Sequence, residues 1–173
     1  MIMTTEKPKV TAYHIQRTLF FKLVGSSKVI MPNFTPIGWF ECDFFRVTQA
    51  GFFYEYEIKL SVSDFKADRK KNLTIREGSD YNNYSKSELI ESARPRAPHR
   101  FFYVIPNYLY DEIYPILPPW AGLICVKPVY YNMSIVKQAP KIHEKKVSKL
   151  IIDDACRSSV YRYWNLLLTK EII

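Results

Sequence analysis

Apolar and polar positions alternate most cleanly between Trp39 and Ser61, with a side-chain period of 2 on both sides of a short polar break. Trp39, Glu41 and Asp43 share one face of the first run, with Phe40, Cys42 and Phe44 on the other. In the second run Phe53, Glu55, Glu57 and Lys59 share a face opposite Tyr54, Tyr56, Ile58 and Leu60. Thr48-Gln49-Ala50-Gly51 supplies a tight connection, so the two runs are expected to be antiparallel neighbours. Asp43, Glu57 and Lys59 are then expected at one end of a sheet.

The flanking pattern predicts a first helix from Lys9 to Val24, stopped by Gly25, then a strand from Lys28 to Asn33 and a turn over Phe34 to Gly38. After the paired strands, Ser61 or Ser63 is expected to cap a second helix. Its Asp64 and Asp68 stand one turn apart and read as a cap and an ion pair within the helix. The stretch from Asn72 to Pro98 is rich in Ser, Asn, Lys, Arg and Pro and reads as a flexible insert, with a short helix from Tyr84 to Ala93 inside it. Two readings of it stay open: a basic flap closing over a nucleic acid, with Tyr81 and Tyr84 stacking on bases, or a solvated excursion. Phe101 to Ile105 and Ala121 to Val126 are continuous apolar strands joined by a helical crossover from Leu109 to Ile116, an order that demands a parallel pair. The sum is a mixed α/β sheet flanked by helices. A closing strand is expected over Val136 to Pro140. A terminal helix is expected over Val147 to Thr169, with Val147, Leu150, Ile151, Ala155, Tyr161, Trp164, Leu167 and Leu168 spaced to cover the sheet or a second subunit. Domain organisation follows: a core over 1–143, carrying the insert at 72–98, and a C-terminal helix over 144–173 packed on the core or on a partner.

Composition narrows the function. A 173-residue chain that is 47% hydrophobic and 24% charged is that of a globular domain, and its formal charge of +8 points to a polyanionic partner, nucleic acid before a membrane surface. The N-terminal nine residues lack the apolar core of a signal peptide and no run reaches a membrane span, so a cytoplasmic location is expected. Cys42, Cys125 and Cys156 are odd in number and far apart, which reads as buried thiols and not as a disulfide framework or zinc site. His14, His99 and His143 are isolated, and only His14 sits where it approaches the acids.

An acid, an intervening stretch and then acid-x-Lys suits hydrolysis of a phosphodiester. Hard cations such as Mg²⁺ or Mn²⁺ take carboxylate and carbonyl oxygens, here Asp43, Glu57 and the backbone carbonyl of Ile58. The Lys59 ammonium would orient the attacking water or stabilise the transition state. Lys66, Arg69, Lys70 and Lys71 follow directly and are candidates to grip the phosphate backbone. Glu41 and Glu55 share parity with the acids; each is an auxiliary-ligand candidate, with a solvent-facing role expected instead.

Asp43, Glu57-Ile58-Lys59 and the following Ser61-Val62-Ser63-Asp64-Phe65-Lys66-Ala67-Asp68 resemble the PD-(D/E)XK nuclease superfamily, in particular its MmcB-like branch of DNA-repair endonucleases and similar phage and bacterial proteins. Arg100 to Pro106, Trp120 to Ile124 and Val136 to Pro140 extend the resemblance over roughly Val10 to Ile142. It implies a restriction-endonuclease-like fold with an additional C-terminal helix, and a Mg²⁺- or Mn²⁺-dependent deoxyribonuclease acting in repair, phage DNA processing or defence. Cys42 stands where the superfamily name has proline. Gln16 stands on the first helix where many members carry an acid, and it would bind a metal-bound water without adding charge. That absent acid keeps an alternative open: a nuclease-fold DNA-binding or assembly module without turnover, with a homodimer or protein partner through the C-terminal helix.

Overall fold

The computed structural model of the chain describes residues 10–68, 71–127 and 132–169. Its centre is a six-stranded mixed sheet of β1 (Ser27–Phe34), β2 (Cys42–Thr48), β3 (Phe53–Ile58), β6 (Arg100–Pro106), β7 (Ala121–Val126) and β8 (Met133–Lys137), in that spatial order. β1, β2 and β3 form an antiparallel meander, β3, β6 and β7 run parallel, and β8 closes antiparallel. The expected mixed α/β sheet flanked by helices, with a further helix at the C-terminus, is therefore what the chain forms.

Alternation along the strands separates two cores. Phe44, Tyr56, Ile58, Phe102 and Val104 face Ile15 and Leu19 of α1 (Ala12–Leu23), whose N-cap Thr11 accepts from the His14 amide. Phe45, Phe53, Phe101 and Tyr103 face the opposite layer, which includes Phe65 of α2 (Val62–Asp68), Leu89 and Ile90 of α3 (Lys86–Glu91), Ile113 of α4 (Tyr110–Ile113) and Ala155 of α5 (Lys149–Thr169). The turn between β2 and β3 is the predicted one: Gly51, at φ +89°, donates to the Thr48 carbonyl, and the Thr48 amide donates to Phe52. At Gly122 of β7 the sheet admits no side chain. A Cβ there would lie 2.5 Å from the Phe102 ring and 2.7 Å from the Ala139 amide.

The chain departs from expectation in three places. Residues 72–98 are not a loop: β4 (Asn72–Glu77) and β5 (Asp80–Ser85) pair as a hairpin around Gly78 and Ser79, with Gly78 at φ +65°, and α3 follows at once. Ser85 and Glu88 close a reciprocal capping box that starts α3. The last strand sits earlier than Val136 to Pro140, at Met133–Lys137, because Pro140 has no amide to give a ladder. In α5, Ile151, Ile152 and Ala155 pack on the core and Arg162 donates to the edge carbonyls of Pro32 and Asn33. Leu150, Tyr161, Trp164 and Leu168 remain exposed, so this stripe does not cover the sheet. No helix among the described residues is long and apolar enough to cross a membrane.

Candidate active site

The β2–β3 register pairs Phe44 with Tyr56. One step further it sets Asp43 beside Glu57, on the face that carries Phe45 and Glu55. Asp43 accepts a hydrogen bond from the Ile58 amide at 2.7 Å through Oδ2. Lys59 extends β3 past its last strand residue, donating its amide to the Val104 carbonyl. Its Nζ lies 3.0 Å from Glu57 Oε1 and 3.1 Å from Asp68 Oδ1. Asp43, Glu57 and Lys59 are thus brought together, as the sequence pattern predicts.

Four more charged residues join them, with the Tyr103 hydroxyl. Ser61, not Ser63, accepts from the Asp64 amide and starts α2, whose last residue, Asp68, turns into the sheet instead of pairing within its own helix. Asp68 Oδ2 accepts from the Tyr103 hydroxyl at 3.0 Å. Lys71 spans the same two oxygens as Lys59, at 2.9 Å from Glu57 Oε1 and 2.9 Å from Asp68 Oδ1. From α3, Lys86 reaches Glu55 Oε1 at 3.0 Å and Glu57 Oε2 at 3.3 Å, lying over the rings of Phe40 and Phe101. Glu55 is fully buried, the opposite of the solvent-facing role expected for it, because Lys86 and the Trp39 indole, 2.6 Å away, occupy its oxygens.

The remaining candidates fall outside the cluster. Gln16 donates its side-chain amide to Asn33 and to the backbone carbonyl of Asp43, and it belongs to α1 on the opposite face, so it pins the helix to β2 and does not face the acids. Glu41 is exposed and precedes β2. Lys66 is exposed, while Lys71 is committed to Glu57 and Asp68 and is not a free phosphate-gripping side chain. Arg69 and Lys70 lie outside the described residues. The His14 ring bonds the hydroxyl of Thr11, the N-cap of α1, and His99 and His143 tie residues 97–143 together through backbone carbonyls. Cys42 and Cys125 are buried but Cys156 is exposed, contrary to the expectation of buried thiols throughout.

Charge balance gives this cluster its character. Among the described residues Asp43, Glu55, Glu57 and Asp68 face Lys59, Lys71 and Lys86, so the acids there are one in excess, and half-exposed Asp64 stands 3.8 Å from Lys59. Burial, and then the neighbouring Glu57, push the Asp43 carboxyl up to about 6 despite the Ile58 amide and the two lysines. Burial pushes Glu55 up to about 7, with Lys86 pulling the other way. Burial also works against Asp68, but Lys86 and Lys59 hold its carboxyl well below the usual carboxylate range. Lys86, although buried, is held charged by Glu55 and Glu57.

The donor chemistry suits a hard divalent cation, all oxygen with surplus negative charge, and the Lys71 ammonium between Glu57 and Asp68 already stands in for one positive charge. Among the described residues no three His, Cys, Asp or Glu side chains form a preassembled metal cage, and both Glu57 oxygens are held by lysines. A cation at Glu57 would therefore have to displace an ammonium, and of the two on Oε1 Lys71, with its side chain 47% exposed against 3% for Lys59, is the more exposed.

A stability prediction follows from Asp43. Its carboxyl takes up a proton more readily in the folded chain than in the unfolded one, so its ionisation destabilises the fold as pH rises from about 4 through about 6. Asp43→Asn keeps an acceptor for the Ile58 amide and removes the repulsion from Glu57. The variant is expected to melt higher than the wild type at pH 8, with the difference vanishing toward pH 4. A difference independent of pH would mean that the carboxyl carries no such penalty.

No protein-family model matches the chain, and no curated protein matches it. Among solved structures the chain is similar to a protein of unknown function from Silicibacter pomeroyi, with a TM-score of 0.60 and 20% identity over 98% of this chain and 94% of that one. That likeness concerns the fold alone.

Proposed function

We propose that the chain is a divalent-cation-dependent phosphodiesterase acting on DNA. The observation that carries this reading is the cluster of carboxylates at the end of β2 and β3, where Asp43 sits beside Glu57 and makes no ion pair among the described residues. The placing of Asp43 and Glu57-Ile58-Lys59 on adjacent strands supports the reading that the resemblance to PD-(D/E)XK nucleases suggests.

Asp43 and Glu57, with the Ile58 carbonyl, would hold Mg²⁺ or Mn²⁺. When bound, the cation would supply a water of lowered pKa and neutralise charge on the phosphate. Lys59 would keep its ammonium at the attacking side, where it orients the nucleophile and offsets transition-state charge. Asp68 and Tyr103 are positioning residues that fix Lys59, and Glu55 with Lys86 fixes Glu57 from behind. Lys66, exposed on α2, would be the candidate among the described residues to meet the backbone of a strand.

The competing reading, a DNA-binding module without turnover, draws on the lysines that saturate Glu57. Calorimetric titration with Mn²⁺ separates the two. The wild type is expected to bind one ion, and Lys71→Ala, which removes the displaceable ammonium, is expected to bind it about tenfold more tightly, roughly 1.4 kcal/mol. Absence of binding in both proteins would favour the module.

A further inference from the structure

The sheet face that carries α1 is the one turned away from Glu55 and Glu57, since Tyr54 and Tyr56 alternate with those acids along β3. α1 covers only part of it. The helix packs through Ile15 and Leu19 and ends at Leu23, where a cavity of about 260 Å³ opens over the sheet. Tyr54, Phe102, Ile124 and Ile135 give it an apolar lining, and Arg46 and Arg100 bring charge to it. No acid is among the described residues that line it.

Strand register sets the two arginines there. Arg46 of β2 pairs with Tyr54 of β3, and Tyr54 pairs with Arg100 of β6, so the three form one row on one face. The arginine backbones are two strand spacings apart, roughly 10 Å. Arg46 is 9% exposed and is held by neutral groups throughout. Its Nε donates to the Ser27 hydroxyl at 2.8 Å, and its Nη1 to the Tyr56 hydroxyl at 3.1 Å. Its Nη2 donates to the Ser26 carbonyl at 3.1 Å and the Ser26 hydroxyl at 2.9 Å, and the guanidinium lies over the Tyr54 ring at 5.4 Å. A cation withdrawn from water among neutral partners is stabilised by an anion that comes within reach.

Arg100 is half-buried and differs in what it has to spare. Its Nη1 donates to the Ala139 carbonyl, while Nε and Nη2 have no partner among the described residues. Those two nitrogens present the parallel donors that a carboxylate accepts. Glu144, held below its usual range first by Lys141 and in part by Arg100, pairs with Lys141 at 2.8 Å and does not line the cavity.

We propose that this cavity binds a small organic carboxylate with an apolar body. Arg100 supplies the fork for the carboxylate, Arg46 supplies charge that no acid answers, and the body lies against Tyr54, Phe102, Ile124 and Ile135. One open fork in an apolar lining matches a monoanion carrying hydrocarbon better than a phosphate dianion. The volume falls just below that of drug-sized pockets and suits one or two rings or a short acyl chain.

The test is calorimetry with EDTA at about 0.15 M salt, where exposed charges are screened. The probes are 2-naphthoate, its neutral twin 2-naphthamide, and acetyl-glycyl-tryptophan with a free or an amidated C-terminus. 2-Naphthoate is expected to bind at one site, with 2-naphthamide about tenfold weaker or more. Arg100→Gln is expected to weaken 2-naphthoate by a similar factor, and Ile135→Glu, which puts a carboxylate at an exposed lining position, to abolish binding. Both variants are expected to melt with the wild type, which the same samples check, and Asp43→Asn is expected to bind as the wild type does. No saturable binding of 2-naphthoate, equal binding of 2-naphthamide, or unchanged binding in both cavity variants overturns the proposal. Tighter binding of the free-acid peptide than of 2-naphthoate, lost on amidation, overturns it in favour of a protein C-terminus. EDTA removes divalent cations and Asp43 lies outside the cavity, so such a failure is separate from any failure of the phosphodiesterase reading.

Discussion

Lys86→Met is expected to lower the unfolding free energy at pH 8 by about 3–5 kcal/mol, the cost of breaking a buried ion pair by removing one partner. Lys86 is 2% exposed and is the ammonium shared by Glu55 and Glu57, at 3.0 and 3.3 Å. Methionine keeps an unbranched apolar stem beneath Phe40 and Phe101 but leaves Glu55, which has no exposed surface, with the Trp39 indole as its remaining side-chain donor. The sign of the pH dependence is fixed by Glu55. Burial already raises its carboxyl to about 7, and losing Lys86 raises it further, so the penalty is fully present at high pH and shrinks as the acid takes up a proton. Urea unfolding at pH 8 and pH 5 measures both effects. Adding Glu55→Gln to Lys86→Met should recover part of the loss at pH 8, and a loss for Lys86→Met no larger than for exposed Lys66→Met would contradict the account.

Asp43→Asn is expected to abolish cation-dependent DNA cleavage, by about a hundredfold or more in rate, on the order of 3 kcal/mol of transition-state stabilisation. Lys59→Ala is a poorer probe. Lys59 is 3% exposed between Glu57 and Asp68, so removing it strands two buried carboxylates and confuses lost chemistry with lost fold. Asp43 is different because it repels Glu57 and gains its protein contact from the Ile58 amide, which asparagine retains. The substitution should therefore raise the melting temperature at pH 8 while removing turnover. Those opposite signs cannot come from unfolding.

What the amino-acid pattern makes legible is local. The alternation from Trp39 to Lys59 and the tight turn at Thr48 to Gly51 put Asp43 beside Glu57, and the apolar runs at Phe101 and Ala121 give the parallel centre of the sheet. The hairpin of β4 and β5 escapes that reading because its alternation is faint. Leu73 and Ile75 are only half-buried, and the partner strand is Asp, Tyr and Asn. Two signals marked it nonetheless: Gly78-Ser79 as a two-residue turn and Ser85-x-x-Glu88 as a capping box. The buried state of Glu55 was not legible, since a strand acid on the polar parity usually meets water. Its partner Lys86 arrives from a helix beyond the hairpin. Asp68 and Lys71 were visible beside the motif, but their turn toward Glu57 is a tertiary fact. In the C-terminal helix Ile151 and Ala155 pack on the core as their spacing predicts, whereas Tyr161, Trp164 and Leu168 share that spacing but stay exposed, contact with β1 reaching Arg162.

The most direct measurement is cleavage of supercoiled and single-stranded DNA by the wild type and by Asp43→Asn, with Mg²⁺, with Mn²⁺ and with EDTA. A phosphodiesterase built on Asp43 and Glu57 cuts only with a divalent cation and loses cutting in the variant, although that variant is folded and more heat-stable at pH 8. A wild type that binds DNA but cuts nothing with either metal, or a variant that cuts as fast as the wild type, would contradict it.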